Sequence, residues 1–422
     1  MEYGLIGYPL KHSFSKEIHS LIKEYLHNNN YNYELCELEE EKLDTFFKSK
    51  KFRAINVTIP YKEKVIKYLD FIDEKAKLIG AINTIVNKNG KLYGYNTDYL
   101  GLNALIRKNN IEVDNKKVLI LGTGGTSKTA YQIVKDLNAS IIKKASRKKG
   151  ENTLTYDEIY QKFQDVEVII NTTPVGMYPN NEETLIDFNR LKKIEAYIDV
   201  IYNPIKTRMA LNGEKVHIKT VNGLYMLVSQ AIYAYLYFND LKLNDKEITK
   251  LCDDIYSDVL KSKLNIALIG MPTCGKTTIG KMVALELSKE FVDTDDVIKE
   301  RINMEIKDYI KTYGEAKFRE IEEDVIKEVS KSQNQVIATG GGCILREENI
   351  ISLKQNSIIY FINRSPDLLI CASDRPLSSS KEELRKRYNE RIDLYLKYKD
   401  VEIDGDKDLE FVKNAIVEDY NG

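Results

Sequence analysis

The chain has 422 residues, 43% of them hydrophobic, and its 63 Lys and Arg residues nearly balance 64 Asp and Glu residues, leaving a formal net charge of -1. This length exceeds what one hydrophobic core usually serves, so we expect two or three domains. The near-neutral charge argues against nucleic acid or an anionic membrane surface as a partner and favours small molecules.

The five cysteines and four histidines are scattered through the chain. Neither type shows the spacing of a metal site, and no CxxC pair occurs, so we expect reduced thiols rather than disulfides or bound zinc. The opening MEYGLIGYPL lacks the basic and apolar regions of a signal peptide, and no run of about 18 apolar residues could span a bilayer. We therefore expect a cytoplasmic protein. The oligomeric state is left open, a homo-oligomer included.

Polar side chains follow the predicted strands of residues 1–100. The set is Ser13, Ser15, Asn56, Thr58, Lys62, Asn83, Thr97 and Asp98. Taken singly, each also has an explanation as a turn residue or a helix cap. Taken together, these hydroxyls, amides, one lysine and one carboxylate are the groups that would bind a polyhydroxylated carboxylic acid.

The first glycine-rich loop lies between a predicted strand and a predicted helix, in KKVLILGTGGTSKTAYQIV (116–134). Gly122, Gly124 and Gly125 would let the backbone approach a pyrophosphate, and the N-terminus of the helix would offer unpaired N–H groups to it. This context indicates a dinucleotide site. A structural turn is the alternative.

The turn about 20 residues beyond these glycines distinguishes two dinucleotides. A site for NAD places an acidic residue there to bind the ribose 2′-hydroxyl. This chain has Ser146, Arg147 and Lys148 instead, which favours NADP because its 2′-phosphate needs a cation. A solvated basic turn without a ligand is the alternative.

Short apolar runs alternate with amphipathic helical stretches along the chain, which is the pattern of an α/β fold with parallel sheets. Strands are predicted at residues 118–122, 166–173, 196–202, 265–270, 335–342 and 357–363. A polar helix is predicted at 245–263, and a domain boundary follows near 261–264. No Gly/Ser-rich or Pro-rich linker marks this boundary.

Residues 1 to about 260 resemble shikimate dehydrogenase. The motifs that carry the resemblance are GYPLKHSFS, NVTIPYK, GAINT, NTD, GTGGT, SRK, INTTPVGM, DVIYNP and NGLYMLVSQA, and they follow the family's order. The resemblance implies an N-terminal α/β catalytic domain at 1–100, completed by helices in 222–260, and a Rossmann NADP-binding domain at 101–221. It implies reduction of 3-dehydroshikimate by NADPH. A relative acting on quinate is the alternative.

The same resemblance implies roles for individual residues. Lys62 and Asp98 correspond to the catalytic pair, in which the lysine protonates and stabilises a developing alkoxide and the aspartate orients the ammonium. The implied substrate contacts are Ser13 and Ser15 for the carboxylate, and Thr58, Asn83, Asp98, Tyr202 and Gln230 for the hydroxyls and ring. The implied cofactor contacts are Gly122, Gly124 and Gly125 for the pyrophosphate, Ser146 and Arg147 for the adenosine phosphate, and Met177, Gly223 and Met226, beside Tyr202, for the nicotinamide end.

The second glycine-rich loop, GMPTCGKTT (270–278), fits G-x-x-x-x-G-K-[ST] and also lies between a predicted strand and a predicted helix. Lys276 would contact the β and γ phosphates, and Thr277 would coordinate Mg²⁺. The expected nucleotide contacts are Gly270, Gly275, Lys276, Thr277 and Thr278. The loop predicts a nucleoside triphosphate without identifying the acceptor.

Charged residues and glycines after this loop indicate a second site for an acidic polyol. They are Asp293, Asp295, Arg319, Glu322, Gly340, Gly341, Gly342 and Arg391. Two cations suit a carboxylate, while carboxylates and backbone N–H groups suit hydroxyls. Surface ion pairs and helix caps are the alternatives for the single residues.

From about residue 265 to the end, the chain resembles shikimate kinase, which implies a P-loop domain at 264–422 with a parallel sheet flanked by helices. In that family, shikimate is bound at the positions of Asp295, Arg319, Gly341, Gly342 and Arg391. The position of Asp293 lies near the magnesium, and Asp295 would orient the attacking hydroxyl while Lys276 offsets charge.

Arg375, in DRPL, matches a lid that closes over ATP in the same family and would also offset charge on the transferred group. The lid segment SPDLLICASDRPLSSSKE is short and lacks a basic residue usually found a few positions before this arginine. The resemblance therefore covers the phosphate and acceptor sites more fully than the nucleotide lid.

The two resemblances together imply consecutive reactions on one intermediate. NADPH would reduce 3-dehydroshikimate to shikimate, and ATP would then phosphorylate shikimate at its 3-hydroxyl. A quinate enzyme would not supply shikimate to this kinase, so the second half of the chain disfavours the quinate alternative. Two rivals remain: a degenerate P-loop module that binds without catalysis, and an NADP-dependent sensor.

Overall fold

The computed structural model describes residues 1–10, 13–148, 150, 153–369 and 381–422. The chain divides into two compact units. Unit 1 comprises Met1–Asn203 and Thr207–Val259, and unit 2 comprises Pro204–Lys206 and Leu260–Gly422. Three sheets with flanking helices form these units, which confirms the predicted α/β class.

The first sheet of unit 1 is mixed. Its strands are β1 (Tyr3–Gly7), β2 (Tyr33–Glu37), β3 (Ala54–Val57), β4 (Phe71–Ile72), β5 (Thr84–Lys88) and β6 (Lys91–Tyr95), in the order β2-β1-β3-β5-β6-β4. Strand β1 pairs in parallel with β2 and β3, whereas β5 runs antiparallel to β3 and β6. The carboxyl ends of β1 and β3 therefore meet at one edge, and the loops after them carry the predicted serine and lysine contacts.

The second sheet of unit 1 is parallel throughout. Its strands are β7 (Lys117–Leu121), β8 (Ile141–Ala145), β9 (Thr153–Leu154), β10 (Val168–Asn171), β11 (Ala196–Asp199) and β12 (Lys219–Val221), in the order β12-β11-β10-β7-β8-β9. The strands predicted at 166–173 and 196–202 are shorter than expected, since β10 and β11 end at residues 171 and 199. After β10, the Thr172 hydroxyl donates to the Leu121 carbonyl and the Thr173 hydroxyl donates to the Asn171 side chain.

Helices cover both sheets of unit 1. They are α1 (Ser15–Tyr25), α2 (Leu43–Ser49), α3 (Glu74–Ile79), α4 (Thr97–Lys108), α5 (Gly125–Asp136), α6 (Tyr156–Lys162), α7 (Arg208–Lys215) and α8 (Leu224–Asn239). Helix α8 is buried along most of its length and packs against α4. A Cβ at Gly101 of α4 would lie 2.5 Å from the Met226 carbonyl oxygen, so a residue without a side chain permits this close packing. Helix α9 (Asp245–Lys263) has the predicted bounds.

Unit 2 contains a third, parallel sheet. Its strands are β13 (Asn265–Ile269), β14 (Glu290–Asp293), β15 (Gln335–Ala338), β16 (Ser357–Asn363) and β17 (Val401–Asp404), in the order β14-β15-β13-β16-β17. Its helices are α10 (Lys276–Glu286), α11 (Thr294–Ile302), α12 (Ile306–Tyr313), α13 (Glu315–Val329), α14 (Glu347–Lys354), α15 (Lys381–Tyr398) and α16 (Leu409–Asn421). Strand β15 ends before the glycines at 340–342, which form a turn rather than the predicted strand end. Among the described residues, none of the helices combines the length and apolar character that a bilayer crossing requires.

Candidate active sites

An ion pair lies at the edge of the first sheet. Lys62 follows β3, and Asp98 lies in the first turn of α4, where the Asn96 side chain caps the helix by accepting from the Tyr99 amide at 3.0 Å. The Lys62 Nζ donates to Asp98 Oδ2 at 2.6 Å, and the two side chains are 16% and 10% exposed. The fold thus joins residues 36 positions apart in a pair that is shielded from bulk water but reachable by a ligand.

Amide and hydroxyl groups continue this site toward α8. The Asn83 side-chain amide donates to Thr97 Oγ1 at 3.0 Å and to Gln230 Oε1 at 3.4 Å, while its oxygen accepts from the Thr97 amide at 2.6 Å. Because Thr97 precedes Asp98, the network places groups from three elements beside the ion pair. These groups are able to bind hydroxyls.

Two members of a buried polar chain beneath the network, Tyr33 and His19, had no role in the sequence analysis. Tyr33 donates to Asn56 Oδ1 at 2.8 Å, and Asn56 Nδ2 contacts the Asn83 carbonyl at 3.2 Å and Thr84 Oγ1 at 3.1 Å. The His19 ring stacks on Tyr33 with centroids 3.7 Å apart. Burial lowers the pKa of His19 to about 3, so this ring is neutral near pH 7 and supports the chain without adding charge.

The predicted serine pair lies after β1. Ser13 Oγ donates to Ser15 Oγ at 3.0 Å, with Ser15 as the first residue of α1 rather than a loop residue. The Phe14 ring between them packs on the Tyr202 ring, with centroids 5.0 Å apart, and burial raises the pKa of Tyr202 to about 12. Phe14 thus links the serine pair to Tyr202, and among the described residues neither serine hydrogen-bonds to Lys62.

Thr58 and Gly7 pack together where β1 and β3 end. A Cβ at Gly7 would lie 2.4 Å from Thr58 Cγ2. The Thr58 amide donates to the Ile6 carbonyl at 2.9 Å, and its own carbonyl accepts from the Tyr61 amide at 2.9 Å. These contacts fix the backbone that leads into Lys62.

The first glycine loop has the geometry of a phosphate-binding turn. Gly122 has φ +109°, and a Cβ there would lie 2.8 Å from Thr172 Oγ1, so the position requires glycine. Gly124 is the N-cap of α5, where no side chain caps the helix, and Gly125 begins it. The N-terminal N–H groups of α5 are thus left for an anion.

The remaining predicted cofactor contacts lie around the second sheet. Ser146 and the exposed Arg147 follow β8, which suits a 2′-phosphate at that strand. Met177 is 44% exposed, Gly223 is the N-cap of α8, and Met226 is buried. These three lie after β10 and β12, on the other side of β7 from the basic turn.

The second glycine loop holds its lysine against its own backbone. Lys276 Nζ donates to the carbonyls of Gly270 and Met271, each at 2.9 Å, and the residue is 7% exposed. Gly275 caps α10 with φ +102°, and Thr278 is exposed on that helix. The lysine lies in the loop that would surround phosphates.

Thr277 and Asp293 are brought together beside this loop. Thr277 Oγ1 donates to Asp293 Oδ2 at 2.7 Å, and Asp293 Oδ1 caps α11 by accepting from the Asp295 amide at 3.0 Å. Hydroxyl and carboxylate oxygens fit Mg²⁺, which usually takes few protein ligands and completes its shell with phosphates and water. No cluster of three or more His, Cys, Asp or Glu residues suited to a metal occurs in the described part of the chain.

The glycine turn at 340–342 is surrounded by the predicted acceptor contacts. A Cβ at Gly342 would lie 2.4 Å from the Arg319 guanidinium, and one at Gly340 would lie 2.8 Å from Asp295 Oδ1. Arg391 donates to the Gly341 carbonyl at 3.0 Å. The fold therefore gathers two cations, one carboxylate and a side-chain-free turn.

Two further residues hold this arrangement. Glu322, which is 1% exposed, accepts from Arg319 at 2.8 Å, and burial raises the pKa of Glu322. Tyr395 donates to the Gly341 carbonyl at 2.6 Å. Tyr395 was missed in the sequence, although its spacing of four residues from Arg391 puts both on one face of a helix. Arg375 lies outside the described residues.

Known protein families resemble this chain over two separate ranges. A shikimate dehydrogenase (NADP(+)) of Clostridium beijerinckii is 38% identical over 254 residues, which cover 58% of this chain and 94% of the relative. The family model described as shikimate dehydrogenase substrate binding domain matches residues 5–85.

The chain belongs to the shikimate dehydrogenase family. A crystal structure of a chorismate mutase/shikimate 5-dehydrogenase fusion protein from Clostridium acetobutylicum is 38% identical, with a TM-score of 0.56, covering 61% of this chain and 96% of that one. A structure of a shikimate dehydrogenase in complex with NADP+ is 34% identical, with a TM-score of 0.52, covering 60% and 94%.

The shikimate kinase family model matches residues 272–421. The chain is therefore a fusion of a shikimate dehydrogenase with a shikimate kinase, as the sequence predicted, and it is a bifunctional enzyme of the shikimate pathway.

Proposed function

We propose that unit 1 reduces 3-dehydroshikimate to shikimate with NADPH and that unit 2 phosphorylates the 3-hydroxyl of shikimate with ATP. The observation that carries the proposal is that each unit has a glycine loop and also brings a cation and a carboxylate together among polar groups. In unit 1 these are Lys62 and Asp98, 2.6 Å apart. In unit 2 they are Arg319 and Asp295, at the glycine turn.

In unit 1, NADPH supplies the hydride when bound. Lys62 donates a proton to the oxygen that was the ring carbonyl, and its positive charge stabilises that oxygen as negative charge develops. Asp98 holds the ammonium in place through the 2.6 Å contact. Ser13 and Ser15 bind the substrate carboxylate, while Thr58, Asn83, Gln230 and Tyr202 bind its hydroxyls and ring.

The cofactor of unit 1 is NADP(H) rather than NAD(H). Support comes from Ser146 and the exposed Arg147, which directly follow β8 where an NAD site places an acidic residue. Gly122, Gly124 and Gly125 bind the pyrophosphate at the uncapped N-terminus of α5.

In unit 2, ATP with Mg²⁺ supplies the phosphoryl group when bound. Lys276 exchanges its two carbonyl contacts for phosphate oxygens, and Thr277 with Asp293 holds the metal. Asp295 orients the attacking hydroxyl. Arg319 and Arg391 bind the acceptor carboxylate, and Gly341 and Gly342 allow its ring to approach the backbone.

The domains follow the sheets. The first sheet lies within 1–100, which together with 222–260 forms the substrate domain, and the second lies within 101–221, the NADP domain. The third sheet lies within 264–422, the kinase domain. A reducing cytoplasm suits the free thiols among the described residues, Cys36, Cys252, Cys274 and Cys343.

A coupled assay tests the proposal. Purified full-length protein receives 3-dehydroshikimate, NADPH and ATP with Mg²⁺, and oxidised cofactor, ADP and phosphorylated product are followed together. We expect NADPH oxidation first and ADP release after it. Shikimate with ATP alone should release ADP without any NADPH. Failure to oxidise NADPH would refute the first activity, and failure to release ADP from shikimate would refute the second.

A further inference from the structure

A buried carboxylate at the carboxyl end of β11 takes no part in the chemistry described so far. Asp199 is 1% exposed, and its partners are four neutral donors. Asn171 Nδ2 and the Ile201 amide donate to Oδ1, each at 3.1 Å. The hydroxyls of Tyr197 and Thr207 donate to Oδ2, each at 2.7 Å. Burial raises the pKa of Asp199, and the donors oppose that shift.

The first of these donors controls the loop after β10. Asn171 is the last residue of β10, and its own Oδ1 accepts from the Thr173 amide at 3.1 Å and from Thr173 Oγ1 at 2.8 Å. Thr173 Oγ1 in turn accepts from the Val175 amide at 3.3 Å. The bond to Asp199 therefore fixes the orientation of Asn171, and through it the path of residues 172–177.

The other loop donors control the segment after β11. Ile201, whose amide binds Asp199, accepts at its carbonyl from the Gly223 amide at 2.9 Å, where α8 begins. Thr207 is the N-cap of α7 and accepts from the Ala210 amide at 3.2 Å. One carboxylate thus holds both ends of the connection between β11 and α7, together with the loop after β10.

The order of strands shows which part of a dinucleotide these loops would contact. The sheet runs β11-β10-β7-β8, with the basic turn after β8 and the glycine loop after β7. Ligands of such sheets lie across the carboxyl ends of the strands. A dinucleotide with its adenosine phosphate at Arg147 and its pyrophosphate at α5 must extend its other half over β10 and β11.

We propose that Asp199 is a positioning residue for the nicotinamide half of NADP(H). Its carboxylate holds the loops after β10 and β11 in the conformation that contacts the nicotinamide ring, and it leaves the adenosine half untouched. The inference rests on the proposed cofactor of unit 1.

The test compares two ligands on the full-length protein by calorimetry. NADP⁺ carries the nicotinamide, whereas 2′-phospho-ADP-ribose lacks it but keeps the pyrophosphate and the adenosine phosphate. In Asp199→Ala the dissociation constant of NADP⁺ should rise at least about tenfold, and that of the fragment should stay within about twofold. ATP-dependent phosphorylation of shikimate by the same chain checks that unit 2 is intact.

Two further variants separate positioning from general stability. In Asp199→Asn the NADP⁺ affinity should stay within about threefold of that of the unaltered protein. The carbonyl oxygen of the new asparagine can accept from Asn171 and Ile201, and its NH₂ group can donate to the hydroxyls of Tyr197 and Thr207 once these rotate. Tyr197→Phe also removes one hydrogen bond to Asp199, but Tyr197 lies in β11 and not in a loop. This variant should therefore leave the affinities for NADP⁺ and for the fragment unchanged.

If Asp199→Ala fails to fold, Asn171→Ala takes its place, since it releases only the loop after β10 and should again weaken NADP⁺ alone. Equal losses for NADP⁺ and the fragment, or a loss in Tyr197→Phe as large as in Asp199→Ala, would overturn the positioning role. If the unaltered protein bound neither ligand, the proposed cofactor would itself be wrong and the inference would fall with it.

Discussion

The two lysines to which a catalytic role is proposed are held by different partners. Lys62 contacts a carboxylate, Asp98, at 2.6 Å, whereas Lys276 contacts the carbonyls of Gly270 and Met271 at 2.9 Å. In the proposed reduction, the partner of Lys62 stays useful because it orients the ammonium that would donate the proton. The partners of Lys276 are neutral, and in the proposed phosphorylation phosphates would replace them. On this proposal one lysine serves proton transfer and the other serves charge neutralisation.

The two acceptor sites also differ in the groups proposed to bind the carboxylate of the acid. Unit 1 offers the hydroxyls of Ser13 and Ser15 for a carboxylate, and unit 2 offers the guanidinium groups of Arg319 and Arg391. The second reaction moves a negatively charged phosphoryl group toward an already anionic acceptor, so added positive charge reduces repulsion. Hydride transfer to a ketone brings no such group. If the proposal holds, the comparison teaches that one acid is bound by neutral donors or by cations according to the reaction that follows.

The largest expected effect tests the proposed role of Lys62 in reduction. Lys62→Ala should lower kcat for NADPH-dependent reduction by about 10³-fold, since the proton donor and the stabilising charge are lost together. Phosphorylation by the same protein should be unchanged. Lys64→Ala is the matched control, because Lys64 is an exposed residue paired with Glu40. Reduction that survived in Lys62→Ala would show that the proton comes from elsewhere.

The reciprocal change tests the second half. Lys276→Ala should lower kcat for phosphorylation by about 10²-fold through loss of charge at the phosphates, with reduction unaffected. Lys281→Ala, on the same helix with its ammonium 5.6 Å from the Phe291 ring, should retain both activities. Loss of both activities from Lys276→Ala would contradict independent sites.

The contrast between cations and hydroxyls predicts unequal losses of acceptor affinity. Arg391→Leu should raise KM for shikimate in phosphorylation by about 10²-fold, whereas Ser15→Ala should raise KM in reduction by only about tenfold, because a charged hydrogen bond is lost in the first case and a neutral one in the second. Arg385→Leu is the control, since its exposed side chain pairs with Asp367. Steady-state kinetics with varied acid would measure both, and equal losses would remove the distinction.

A smaller effect, confined to unit 1, is expected on the preference for NADPH over NADH. Arg147→Ala should reduce the preference for NADPH over NADH in kcat/KM by about 30-fold, because only NADPH carries the phosphate that the guanidinium contacts. Arg190→Ala, whose guanidinium lies over the Tyr160 ring at 3.6 Å, serves as the control. A preference that stayed the same in Arg147→Ala would place the phosphate elsewhere.

Acid should destabilise unit 1 selectively. The pKa of buried His19 is lowered to about 3, so below its unfolded value near 6.5 the unfolded state binds a proton that the folded state does not. Stability is complete above about pH 6.5 and falls by up to about 1.4 kcal/mol per pH unit as the pH drops toward 3. Hydrogen exchange resolved by segment should show this fall around β1–β3, and His19→Gln should flatten it. No histidine follows residue 217, so unit 2 lacks this sensitivity.

Much of the fold could be predicted from local patterns. The strands before both glycine loops and the helix at Asp245–Lys263 were placed within a residue, because apolar runs and helical periodicity are local signals. Strand ends were less predictable. The run to residue 342 was read as strand because it is apolar and small, yet β15 ends at Ala338 since glycines favour turns.

The contacts within the sites depended on tertiary structure. The family resemblance suggested that Asp98 orients the Lys62 ammonium, but no local signal in the sequence brings the two together, because the chain between them forms three strands and a helix. The buried Asn56 chain and the Asp199 cluster join segments far apart in sequence, and no local signal shows which donors meet. The motif DVIYNP marked Asp199 without indicating its partners.

The central claim is that two separate pockets of this chain bind the same hydroxylated acid. A crystal structure of the full-length protein with shikimate bound tests it most directly. The account predicts one molecule against Ser13 and Lys62 and a second against Arg319 and Arg391. A pocket left empty at saturating ligand, or a molecule bound away from these residues, would contradict the account for that unit.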